Sequence, residues 1–181
     1  MKYVITAAAI LTVLTFAGCG TQVTPPTAVG SVPAASSQAV PADHEATLSF
    51  YLPDADAMHI IRQDVTVKAS QKTLKNGLYQ MIQADRASKY PMLPAGLTIK
   101  DVTVKNGTAT VNFSKQLKNL SGGTTTESLF VAMVVDTATE FPNVKQVVFQ
   151  MEGQPIKKLT GHLDMSQPFK RDETPIKAAK K

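Results

Sequence analysis

From Thr47 the chain alternates apolar and polar positions, with Leu48, Phe50 and Leu52 set against Thr47, Ser49 and Tyr51. A period of two marks a half-buried strand, ended here by Pro53-Asp54. Met58 to Lys68 carries a second extended pattern in which Val65 and Val67 are spaced by polar residues. The period then lengthens: Leu74, Leu78, Met81 and Ile82 recur at helical spacing to about Ala84. Lys72, Lys75 and Gln83 lie on the other side, and Ser70 is placed as the N-cap. Pro91 and Pro94-Ala95-Gly96 break the chain. Leu97 to Lys105 and Thr108 to Phe113 flank Asn106-Gly107, whose tolerance of positive φ predicts a type I′ hairpin. The apolar phase shifts between Ile99 and Val102, which predicts a bulge near Lys100-Asp101. Thr124-Thr125-Thr126-Glu127 has capping-box spacing, and Leu129 to Val135 is an unbroken apolar run that predicts burial. Its β-branched residues leave a strand open, but the stretch to Glu140 is long for a strand and favours a helix. Val147, Phe149 and Met151 alternate in a last strand, and Gln154 to Phe169 reads as loop with at most a short terminal strand. The order β-β-α-β-β-α-β predicts an α+β fold, two helices packed on one face of a mixed β-sheet with the other face open.

The first residues have a different texture. Lys2 precedes an apolar run from Val4 to Phe16, then Ala17-Gly18-Cys19. The run is too short for a hydrocarbon core of about 30 Å and reads as a signal over residues 1–18. Ala17-Gly18-Cys19 resembles the lipobox of bacterial lipoproteins, with Phe16 where Leu is usual. That resemblance implies a lipid on Cys19 and residence on the outer face of the cytoplasmic membrane. A plain secretory signal is the alternative, although an unpaired thiol is of no use to a secreted chain. Residues 19–46 are uncharged to Ala42 and rich in Pro, Ser, Thr and Ala, which predicts a disordered tether.

Composition narrows the options further. With 181 residues, one Cys and three His, the chain is long enough for a single core and too poor in ligands for a disulfide scaffold or a Cys/His zinc site. The formal charge of +5 would raise polyanionic partners, but Lys2 holds one unit and the tail from Lys170 a net three, leaving +1 on residues 3–169. The aromatics are not interleaved with Lys and Arg, so no nucleic-acid platform is expected. Residues 47–169 are then a nearly neutral domain and 170–181 a basic flexible tail, with anionic wall polymer or lipid head groups as its possible contacts.

Four stretches carry a resemblance: Leu93-Pro94-Ala95-Gly96-Leu97, Val102 through the hairpin to Ser114, Thr137-Ala138-Thr139-Glu140-Phe141-Pro142-Asn143-Val144, and Gly161-His162-Leu163-Asp164. Together they resemble the GerMN domain of sporulation and spore-germination lipoproteins over roughly Thr47 to Arg171. Ala138 stands where Leu is expected, and there is one domain where sporulation members can carry two. The resemblance implies an αββαβ core similar to the ring-building motif of secretion-system and sporulation-channel proteins. It therefore implies a protein-interaction module with envelope or membrane proteins as partners, or a homo-oligomer through that core, rather than an enzyme.

Catalytic chemistry has a thin basis in the residues. His162 and Asp164 alternate along an extended chain and would share a face, which makes them the one weak candidate polar site, for a base or a metal. A loop histidine bonded to a neighbour is the favoured reading of the pair. His44 and His59 have no ligand-spaced partner, so no metal and no cofactor are expected. Ser121-Gly122-Gly123 lacks the lysine of a phosphate loop. Asp136 and Glu140 share a helix face and read as solvated. A wall-modifying hydrolase and a small-ligand or germinant-binding lipoprotein are the alternatives to an interaction module.

Overall fold

The computed structural model describes residues 43–160 and 163–177; the expected signal, Cys19 and the tether to Ala42 lie outside them. The order is β1 (Glu45–Pro53), β2 (Ile60–Lys68), α1 (Leu74–Ala87), β3 (Ile99–Lys105), β4 (Thr108–Phe113), α2 (Gly123–Thr139), β5 (Gln146–Met151), β6 (Gln154–Pro155) and β7 (Phe169–Lys170). The expected α+β order holds, with the last two short strands added.

The strands form two sheets. β1 and β2 pair antiparallel along their whole length, from Glu45 opposite Lys68 to Pro53 opposite Ile60. β3, β4 and β5 form the mixed sheet, antiparallel between β3 and β4 and parallel between β4 and β5, with β6 and β7 both pairing to β5. The hairpin turn has Asn106 at φ 50° and Gly107 at φ 78°, the left-handed pair that a type I′ turn requires. The register slips between Ile99 and Asp101, as the phase shift predicts.

Both helices pack beside β1. On the mixed sheet, Phe130 of α2 meets Phe113 of β4 at 5.4 Å between ring centroids and Phe149 of β5 at 5.8 Å. This edge-to-face cluster anchors the core, and such pairs stabilise by about 1 kcal/mol beyond their area. β1 departs from simple alternation: Leu48, Ser49, Phe50 and Tyr51 are all buried. Tyr51 turns inward, and its N–H donates to Thr137 Oγ1 at 3.1 Å.

Two caps differ from expectation. Thr73, not Ser70, caps α1, its hydroxyl accepting from the Asn76 N–H at 3.2 Å. Ser70 instead donates to Asp43. At α2 the N-cap is Gly122, held at φ 116°, and no capping box forms. Glu127 is 1% exposed and reaches away from its own helix.

Candidate functional site

Two buried carboxylates, Glu127 and Asp54, hold loop segments in place. Glu127 accepts from the Thr160 N–H at 2.6 Å, the Thr160 hydroxyl at 2.5 Å and the Leu163 N–H at 3.0 Å, so it pins the loop after β6 onto α2. Asp54, in the turn after β1, accepts from the Met58 and His59 amides and from Lys177 Nζ at 2.9 Å. The hydrogen bond from Lys177, assisted by those amides, holds Asp54 down at about 2.

The chain after β7 is therefore docked, which corrects the expectation of a flexible tail from residue 170. Arg171 donates to the Tyr51 hydroxyl at 2.6 Å, to the Asp136 carbonyl at 3.1 Å and to Thr139 Oγ1 at 3.2 Å. It also pairs with Glu140 at 3.3 Å and Glu173 at 2.6 Å. The Tyr51 hydroxyl in turn donates to Glu140 Oε1 at 2.8 Å. Burial raises the Tyr51 phenol, with Arg171 opposing and Glu140 adding to the rise. Further on, the Ile60 N–H donates to the Pro175 carbonyl and the Lys177 N–H to the Ile60 carbonyl. Residues 178–181 lie outside the described part.

Asp136 and Glu140 are also corrected: neither is a solvated helix residue. Glu140 sits in the arginine network, and Asp136 is 1% exposed. Among the described residues no donor completes a hydrogen bond to either Asp136 carboxylate oxygen. Burial pushes this carboxyl up to about 7; the Arg171 charge and the Asp172 amide, which approaches without completing a hydrogen bond, pull the other way, while the Glu173 and Asp172 charges add to the rise.

Asp136 also lines a groove of about 560 Å³. One wall is α2, from Thr125 and Ser128 through Leu129 and Ala132 to Val135. The other is Leu163 and the docked segment from Phe169 to Pro175, with Met58 and His59 at one end. Apolar side chains dominate its middle.

The weak candidate pair does not form a described site. His162 lies outside the described residues, and Asp164 is exposed, its Oδ1 accepting from the Ser166 N–H at 2.9 Å. That bond and the Ser166 hydroxyl hold it below the usual carboxylate range. Among the described residues no three His, Cys, Asp or Glu side chains are grouped to hold a metal ion. Sequence reasoning missed Glu127, Asp136 and Arg171. A signal was present for Asp136: it interrupts a helix whose apolar residues leave no polar stripe, and such a helix is buried all round.

Two helices on one face of a mixed sheet, with a docked C-terminal segment over α2, define an α+β domain. Residues 49–157 match the model of the Germane family, described as sporulation and spore germination, and the chain belongs to that family. The spore germination protein GerM of Bacillus subtilis (strain 168) is 27% identical over 115 residues, which cover 60% of this chain and 31% of that protein. The chain thus spans about a third of the length of that curated relative. The tandem GerMN domains of the sporulation protein GerM from Bacillus subtilis superpose with a TM-score of 0.58 at 24% identity, covering 70% of this chain and 46% of theirs. The first GerMN domain alone gives 0.56 at 23% identity, with 70% of this chain and 98% of that domain covered. At these identities the two structures speak to the fold.

Proposed function

We propose that the protein is a lipid-anchored, extracytoplasmic lipoprotein whose GerMN-type domain acts as a non-catalytic protein-interaction module in envelope assembly, sporulation or germination. The match of residues 49–157 to a sporulation and germination family carries the reading. Ala17-Gly18-Cys19 supports the anchor, with the lipid on Cys19. The mixed sheet supports the interaction role: its face away from α2 presents Thr103, Thr110 and Val148 in one row and Asp101, Asn112 and Gln150 in the next. Such a half-exposed, largely uncharged surface suits a protein partner better than a polyanion. Glu140 and Asp54 are engaged in holding the C-terminal segment and Glu127 the loop after β6, which are structural tasks.

Photocrosslinking in intact cells from a probe at Thr103 or Thr110, followed by identification of the bound chains, tests the interaction. Specific envelope proteins are the expected yield, and Cys19→Ala should release the protein from the membrane fraction. Soluble fragments released from peptidoglycan by the purified protein would overturn the non-catalytic assignment.

A further inference from the structure

The groove along α2 and the carboxyl beside it have no part in the interaction reading, and two independent features meet there. The groove falls in the size range of small-ligand sites. Asp136, which lines it, is a buried acid to which no described donor completes a hydrogen bond, the Asp172 amide approaching it without doing so. We propose that the groove is a binding site for a small alkylamine, its primary ammonium seated against Asp136 and its apolar stem lying along α2.

Geometry sets the shape of such a ligand. Thr125 and Asp136 are eleven residues apart on one helix, about 16 Å at the helical rise. Between them Leu129, Ala132 and Val135 offer an apolar track, while Thr125 and Ser128 place hydroxyls at the far end. Arg171 does not supply the missing donor to the carboxyl. Its guanidinium is spent on the Asp136 carbonyl, Thr139, Tyr51, Glu140 and Glu173. A compact ammonium brings three donors on a narrow stem, which a planar guanidinium does not. Phe169 is the one aromatic side chain in the lining, so the cage that recognises quaternary ammonium is missing.

The ammonium requires the ionised acid, so apparent affinity follows the fraction of Asp136 that is deprotonated. With that group near 7, binding strengthens roughly tenfold between pH 6 and pH 8. The other charged groups facing it are Arg171, Asp172 and Glu173 on the docked segment, Glu140 one turn further along α2, and Lys170 and His59 at the groove. A histidine gains charge as pH falls and would repel a cation with the same sign of dependence. The variant His59→Gln separates the two.

The test is titration of the isotope-labelled full chain with n-hexylamine, and with 1-hexanol as the uncharged control, followed by NMR at pH 6 and pH 8. Saturable shifts at residues 125–136 and 169–175 are expected with hexylamine, at least tenfold tighter than with hexanol at pH 8. Asp136→Asn should abolish both the preference and the pH dependence, and His59→Gln should keep both. The proposal is overturned by absence of hexylamine binding at pH 8, by equal binding of hexanol, or by a pH dependence that disappears in His59→Gln. Should Asp136→Asn not fold, the hexanol comparison and the pH profile of the unsubstituted chain decide.

Discussion

Asp136 sets a quantity that stability measurements read directly. Its carboxyl is lifted from 3.8 to about 7 on folding, principally by burial. At 1.36 kcal/mol per pKa unit the full lift corresponds to about 4 kcal/mol. Relaxation of the site and water penetration reduce this to about 2 kcal/mol. The sign follows from the raised folded value: the neutral acid is favoured in the folded state, so the contribution is complete below pH 4 and is lost as pH rises through 7. Asp136→Asn keeps the shape and removes the charge. The two proteins should unfold with nearly equal stability at pH 3, the Asn variant should pull ahead as pH rises past 4, and it should be more stable by about 2 kcal/mol at pH 8. In a thermal melt that is about 6 to 10 °C for a domain of this size. Urea unfolding of both proteins from pH 3 to pH 8 measures the difference, and groups common to the two cancel in it. Parallel curves, or a wild-type protein more stable at pH 8, would refute the assignment of a buried, uncompensated carboxyl.

Other perturbations address the docked segments. Glu127→Ala leaves the Thr160 and Leu163 amides without their carboxylate, and a loss of about 3 kcal/mol with faster amide exchange at those two residues is expected. Arg171→Ala removes donors to Tyr51, Thr139 and the Asp136 carbonyl together with two ion pairs. It should cost about 3 kcal/mol in urea unfolding and raise exchange from Phe169 to Ile176 before the core opens. Gly122→Ala combines a φ of 116° with a β-carbon that would sit 2.1 Å from Thr126 Oγ1, so a loss of about 2 kcal/mol or more is expected on denaturation.

Local rules were sufficient where they acted without competition. Asn106-Gly107 fixes its turn because positive φ is cheap there, and the shift of apolar phase at Lys100 registers a bulge within the same strand. Tertiary demand overrode them elsewhere. Thr124 to Glu127 has the spacing of a capping box, but Glu127 satisfies amides more than thirty residues later, and a glycine in a conformation closed to most residues starts the helix instead. Tyr51 reads as the polar member of an alternating strand, yet the end of α2 and Arg171 of the docked segment cover it. Lys170 to Lys177 reads as a charged tail because its partners, Tyr51, Asp54 and Glu140, are distant in sequence and their pairing follows no period. The groove was illegible for the same reason, since one of its walls is that segment.

Arg171 meets Tyr51 at a sequence separation of 120, and Lys177 meets Asp54 at one of 123. A chain emerging N-terminal end first can form the β1–β2 hairpin early but cannot seal it, because the groups that cover β1 arrive with α2 and with residues 171–177. Contacts of such separation slow folding and delay commitment until that segment is in place. The arginine thus acts as the latch of the domain: its first strand is among the last parts to become secure.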